Sequence, residues 1–171
     1  MAGKALRQAR RKDGAASPAR DFDFVLASPV GRLGVCLDGA AVTRIDFLGE
    51  NAGTLAPATP AARRAAAALR AYFARGGTID LPIRPSGTAF QQRVWRALRR
   101  IPAGRTLTYG ELARRLATSP RAVGNACRAN PVPLVVPCHR VVAAGGIGGF
   151  AGRTDGPEVA RKRWLLRHES A

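Results

Sequence analysis

Acidic side chains are scarce in this 171-residue sequence, which sets 11 Asp and Glu against 28 Lys and Arg for a formal charge of +17. Such an excess of cations attracts polyanions through counterion release and makes nucleic acid the default partner. Histidine and cysteine are sparse as well. His139 and His168 are the only histidines, and the three cysteines, Cys36, Cys127 and Cys138, are scattered. They form no CxxC or HxxxH spacing and no even disulfide framework, so neither a metal centre nor a disulfide scaffold is expected. No apolar run approaches the roughly 18 residues that suggest a membrane span. The opening "MAGKALRQARRKDGAASPAR" lacks the apolar centre of a secretory signal. The expectation is a cytoplasmic monomer that needs no cofactor and touches no membrane.

Hydrophobic residues make up 46% of the chain, enough for one medium domain or two small ones. Residues 1–20 carry several charges and few core-forming side chains, which reads as a flexible basic tail. A break at "RPSG", residues 84–87, divides the remainder into 21–85 and 86–171. In the first part, Pro-Val-Gly and Asp-Gly turn signals separate three apolar runs, so strands are expected over 22–28, 32–37 and 41–47. "PAARRAAAALRAYFARGG" begins with proline, is rich in strong helix formers and stops at Gly76 and Gly77, which predicts a helix. "TIDLPI" resembles a last strand, and Cys36 reads as a buried packing thiol. This part is a small α/β unit without evident chemistry.

The second part reads as helical. Thr88 with Gln91 and Thr108 with Glu111 each form a capping box, the first followed by Phe90, Val94 and Leu98 on one face, the second by Leu112 and Leu116. Ser119 caps a further helix, "RAVGNACRAN", with Pro120 at its first position and Pro131 beyond its end. Two short helices across a tight turn read as helix-turn-helix. The second helix is expected to send Val123 and Cys127 inward, Arg121, Asn125 and Arg128 outward, and Ala122, Ala126 and Ala129 onto a nearly bare third face. That surface is too smooth for base reading in the major groove. It fits close approach to a narrow groove with Arg121 as a wedge, and it equally fits packing against another helix.

"NPVPLVVPCHRVV" then places Cys138 beside His139. A free thiol with pKa about 8.5 is only slightly ionised at neutral pH and needs a base or a positive field to act as a nucleophile. An extended backbone here would point Cys138 and His139 to opposite faces, so contact requires a bend or a bridging water. A hydrolase would instead recruit His168 from elsewhere in the fold. A buried thiol between Val136 and Val141 is the remaining alternative.

Residues 137–141, Pro-Cys-His-Arg-Val, preceded by Asn130-Pro131-Val132-Pro133, resemble the active-site signature of the O6-alkylguanine-DNA alkyltransferases. "GTAFQQRVWRALRRIPAGRTLTYGELA", "RAVGNACRANPVP" and "RKRWLLRHE" resemble the same family in the same order, over residues 86–169. The resemblance implies an α+β, two-domain fold: a small N-terminal domain of antiparallel sheet plus helix, and a C-terminal helical domain like a winged helix-turn-helix. It implies a single-turnover methylated-DNA-[protein]-cysteine S-methyltransferase acting on double-stranded DNA that contains alkylated bases. The damaged nucleotide is flipped out, and the alkyl group of O6-alkylguanine, with O4-alkylthymine as a second candidate, passes to Cys138. His139 would act as base through a water and Glu169 would orient it, while Asn130 would fix the turn. Tyr109 would crowd the target phosphate and Arg121 would fill the vacated stack, with Ala122, Gly124 and Arg128 on the DNA-facing helix. Pro133, Val141, Phe150 and Ala151 would form the alkyl and base pocket. Ala151 stands where some relatives carry a hydroxyl, so backbone N–H groups would have to serve guanine O6. Residues 153–160 form an insertion at the pocket rim, and the turn before Arg121 is shorter than in some relatives. A non-catalytic helix-turn-helix lesion sensor and a cysteine hydrolase are the alternatives.

Overall fold

The computed structural model describes residues 21–170; the expected basic tail, 1–20, lies outside the described residues. Three strands, β1 (Phe24–Ser28), β2 (Gly31–Asp38) and β3 (Ala41–Leu48), form an antiparallel meander. Leu33 and Val35 of β2 are fully buried, and strand alternation turns the intervening Gly34 to the opposite face. The Phe22 ring covers it there so closely that a Cβ would sit 2.7 Å from ring carbons. The same alternation corrects one expectation: Cys36 is half-buried on that outer face, its thiol 3.3 Å from the Asp21 carbonyl, and is not a core residue.

Helix α1 (Pro60–Arg75) starts as its sequence predicts, with Thr59 accepting a hydrogen bond from the Ala62 amide and proline at the first position. Ala62, Ala65, Ala66, Leu69 and Tyr72 form its inward stripe over the sheet. Leu69 is fully enclosed, a burial that contributes about 2 kcal/mol. "TIDLPI" does not become a strand. It makes one bridge, Ile83 to Val42, because Pro82 and Pro85 have no N–H to extend a ladder.

The second part builds α2 (Ala89–Leu98), the two-residue strand β4 (Leu107–Thr108), α3 (Tyr109–Arg115), α4 (Pro120–Arg128), a 3-10 turn at 138–140, β5 (Val141–Val142) and α5 (Gly156–Glu169). Both capping boxes form. The turn between α3 and α4 is short because Ala117, at φ 49°, reverses the chain at once. The amides of Ala117 and Thr118 donate to the Arg114 and Ala113 carbonyls, a Schellman closure. Ser119 then caps α4 directly. β4 pairs in parallel with β5. One buried cluster runs from Phe24 to Leu165, joining the sheet, α1, α2, α4 and α5 into a continuous core.

Candidate active site

Prolines at 131, 133 and 137 restrict the chain between α4 and the 3-10 turn. Asn130 supplies the hydrogen bonds they cannot: its Oδ1 accepts from the Val132 amide at 3.0 Å, and its Nδ2 donates to the Val136 carbonyl at 2.8 Å and to Cys138 Sγ at 3.3 Å. Leu134, buried, holds a left-handed φ of 75°. A bulky residue in that region costs about 1 to 3 kcal/mol, which the surrounding packing must offset. The Cys138 amide donates to the Val136 carbonyl and the Arg140 amide to the Pro137 carbonyl. Residues 138–140 therefore coil, and Cys138 and His139 are not on opposite faces of a strand.

Behind the turn lies a buried polar cluster. His139 is fully buried, and its Nε2 is 2.8 Å from Glu169 Oε1, whose side chain is 1% exposed. Arg140 donates from Nε to Glu169 Oε2 and from Nη2 to Oε1, each at 2.9 Å, and from Nη1 to the Ile101 carbonyl. Tyr72, from α1, donates its hydroxyl to the same Oε1 at 2.7 Å. Burial works to protonate Glu169, but the donors from His139, Arg140 and Tyr72 outweigh it and hold its pKa at about 2. Burial also holds His139 below the ordinary imidazole range, against the upward pull of Glu169. Its Nδ1 is buried and bonded to no protein group. Burial pushes the Cys138 thiol up, opposed by the Asn130 hydrogen bond and the Lys162 charge. The resting pair is thus a neutral thiol and a neutral imidazole with a free acceptor position.

Lys162 was not singled out by the sequence. It is fully buried, donates from Nζ to the Val141 carbonyl at 2.6 Å and the Gly149 carbonyl at 2.8 Å, and lies 5.8 Å from the centre of the Tyr109 ring. Burial lowers its pKa to about 8, with Cys138 and Cys127 pulling the other way. In "RKRW" it reads as one more solvated cation, yet Val159, Lys162 and Leu165 recur at spacings of three and form the inward stripe of α5. That spacing was the available signal.

Cys138 opens onto a two-lobed cleft. The first lobe, about 210 Å³, is bounded by Tyr109, Gly124 and the 149–154 loop. The second, about 310 Å³, reaches past Asn130 and Pro133 to Ile45 and Phe47 of β3. Cys127, Arg128, Cys138, Phe150 and Ala151 border both. The loop makes a tight reversal in which a Cβ on Gly149 would lie 2.5 Å from the Arg153 carbonyl oxygen. Arg153 and Thr154 stand at the rim, and from Gly156 the inserted residues become the first turns of α5.

Two expectations need correction here. Val141 lines neither lobe; it is fully buried in β5, paired with Leu107, with its carbonyl held by Lys162. On α4, Ala126 is core and Cys127 faces the cleft, the reverse of the expected assignment. Trp95, fully buried, donates its indole N–H to the Ala126 carbonyl at 2.9 Å on that inward side. Arg121 is exposed on the first turn of α4 and Ala122 is half-buried; neither borders the cleft. His168 bonds the Tyr72 carbonyl and stacks on Trp164, so it does not join Cys138 as a hydrolase base would. Among the described residues no cluster of three or more His, Cys, Asp or Glu could hold a metal ion.

Residues 89–171 match the family model described as 6-O-methylguanine DNA methyltransferase, DNA binding domain. A methylated-DNA–protein-cysteine methyltransferase of Haemophilus influenzae is 38% identical over 157 residues, 83% of this chain and 82% of its own length. The protein of the same name from Shigella flexneri is 48% identical over 106 residues, and the match spans only 59% of each chain. The crystal structure of Mycobacterium tuberculosis OGT in complex with DNA superposes with a TM-score of 0.71 at 38% identity, covering 85% of this chain and 91% of that one. The chain belongs to the O6-alkylguanine-DNA alkyltransferase family, the methylated-DNA–protein-cysteine methyltransferases.

Proposed function

We propose that this protein repairs double-stranded DNA by moving the alkyl group of O6-alkylguanine, and secondarily of O4-alkylthymine, onto its own Cys138. The observation that carries this reading is a cysteine opening onto a base-sized cleft with a buried His139–Glu169 pair directly behind it. The protein acts as a monomer on cytoplasmic DNA. Residues 86–171 form the DNA-binding and transfer unit, a winged helix-turn-helix with the β4–β5 ladder at its wing, and residues 21–85 support it.

DNA lies along α4, whose small residues Ala122 and Gly124 admit the minor groove while Arg128 contacts the backbone. Arg121 enters the stack as the damaged nucleotide turns out, and Tyr109 crowds the phosphate at its side. The base fills the lobe bordered by Tyr109 and residues 149–154, and its alkyl carbon meets Cys138 between Pro133 and Phe150. The thiol proton passes through a water to His139 Nδ1, and Glu169 stabilises the imidazolium. The sulfur then attacks the alkyl carbon as the carbon–oxygen bond breaks. The electron pair leaves with guanine, which recovers a proton, so the products are guanine and a thioether. With Ala151 offering no hydroxyl, donors for the departing oxygen are the loop N–H groups and the Tyr109 hydroxyl. Burial, with the Cys127 and Cys138 thiols nearby, raises the Tyr109 pKa to about 12, so it stays a donor.

No group in the site regenerates a thiol from a thioether, so each molecule acts once. Titrating protein with excess duplex containing O6-methylguanine should restore one guanine per protein and then stop. Continued repair beyond that equivalence would contradict the reading, and so would binding without any repair, the behaviour of a lesion sensor.

A further inference from the structure

The sheet-bearing part of the chain has no evident chemistry, yet one of its side chains joins the buried network behind Cys138. Tyr72 stands near the end of α1 with its ring 2% exposed. Its hydroxyl donates to Glu169 Oε1 at 2.7 Å, the oxygen that already meets His139 Nε2 at 2.8 Å and Arg140 Nη2 at 2.9 Å. The ends of α1 and α5 are tied together again by His168 Nε2 on the Tyr72 carbonyl, at 2.8 Å, and Arg140 Nη2 reaches the Gly77 carbonyl just past α1. Tyr72 is therefore fixed in place, edge-on to Phe73 and His168.

We propose that Tyr72 is a positioning residue of the transfer site, one that holds Glu169 Oε1 in line with His139 and tempers the charge that oxygen offers to the imidazole. The inference rests on the alkyl-transfer reading for the role of His139 but not for its test. A carboxylate oxygen has two lone pairs, and here three donors share it. Every hydrogen bond accepted from Tyr72 reduces what remains to stabilise an imidazolium. Burial, reinforced by Glu169, pushes the phenol far above its ordinary range, so Tyr72 donates at every working pH. The groups that bear on His139 are Glu169 and Lys162 from α5, Arg140 and Cys138 from its own turn, and Tyr72 from α1 acting through Glu169.

Removing only the hydroxyl gives a directional result. In Tyr72→Phe the ring remains, Glu169 turns more of its charge to His139, and the proton moves more readily from Cys138 to the imidazole. The acid limb of Cys138 reactivity, set by protonation of the neutral His139, then shifts to higher pH while the plateau above it rises. Glu169→Gln shifts it the other way.

The experiment measures the pH dependence of Cys138 alkylation by iodoacetamide, read by mass on the Cys138 peptide, beside single-turnover methyl transfer from an O6-methylguanine duplex. The expected shift for Tyr72→Phe is about half a pH unit upward, with roughly a threefold gain in rate on the plateau above it. 3-Fluorotyrosine placed at position 72, a stronger donor, should move the limb downward and lower the plateau, and this arm stands if the phenylalanine variant does not fold. A variant that melts lower but keeps the wild-type pH profile would overturn the proposal and leave Tyr72 a packing residue. A shifted iodoacetamide profile with no methyl transfer in any form would support the role of Tyr72 and overturn the alkyl-transfer reading instead.

Discussion

Cys127 and Cys138 face the same cleft, one on α4 and the other on the 3-10 turn, and they are not equivalent. Cys138 receives a hydrogen bond from Asn130 and has an imidazole with a free nitrogen on the adjoining residue. Among the described residues no hydrogen bond reaches the Cys127 thiol, and burial, with Cys138 adding to it, pushes its pKa far above the ordinary thiol range. Cys127 has access without a base, whereas Cys138 has both. On the proposed reading, exposure to the cleft does not define the nucleophile; the buried network behind the turn does.

The comparison is broken most completely by Cys138→Ala. Methyl transfer should fall to background while DNA binding persists, because the proposed α4 contacts are untouched and Cys127 has no base beside it. Transfer onto Cys127 in that variant, read from peptide masses, would show that any thiol in the cleft suffices.

Arg140→Leu attacks the network itself. It strips two hydrogen bonds from Glu169 and leaves a carboxylate buried with Tyr72 and His139 alone. Breaking one side of a buried pair costs about 3 to 5 kcal/mol, so chemical denaturation should show a loss on that scale. A loss typical of a surface charge would mean that Glu169 is solvated in solution.

Acid should dismantle the same network without mutation. Glu169 titrates at about 2 in the folded state and near 4.5 when unfolded, so its stabilisation is present above the unfolded value and lost as pH falls toward 2. His139, held below 6.5 by burial, works in the same direction, because the unfolded chain takes up its proton first. The Glu169 contribution amounts to about 3 kcal/mol. Denaturant midpoints measured from pH 7 down to pH 3 should fall, and Glu169→Gln should flatten the lower part of the curve; a flat wild-type curve would contradict the assignment.

How much of this was legible in the sequence depends on how local the cause is. The boxes at Thr88–Gln91 and Thr108–Glu111, and the Ser119–Pro120 start, are fixed by neighbours three residues apart and formed as read. Cys138, His139 and Glu169 were found through motif resemblance, which records what spacing alone left open. Lys162, Tyr72 and Arg140 were missed as site residues because their burial is decided by distant elements: an arginine beside a histidine, or a lysine in a basic run, looks solvated until α5 and α1 close over it. The exchange of Cys127 and Ala126 has the same origin, since the partner of the inward side of α4 includes Trp95, 31 residues from Ala126.

The smallest expected effect concerns the exposed end of α4. Arg121→Ala leaves the thiol and its network intact but removes the proposed wedge, so transfer should slow about tenfold or more on duplex DNA and little on the free modified base. Equal slowing on both would place Arg121 in the cleft.

The most direct measurement is a peptide mass map of the intact protein after one turnover with duplex DNA containing O6-methylguanine. The account predicts one added methyl group, carried by the Cys138 peptide, with the Cys127 and Cys36 peptides unchanged. A methyl group on Cys127, or one divided between the two cleft thiols, would contradict it.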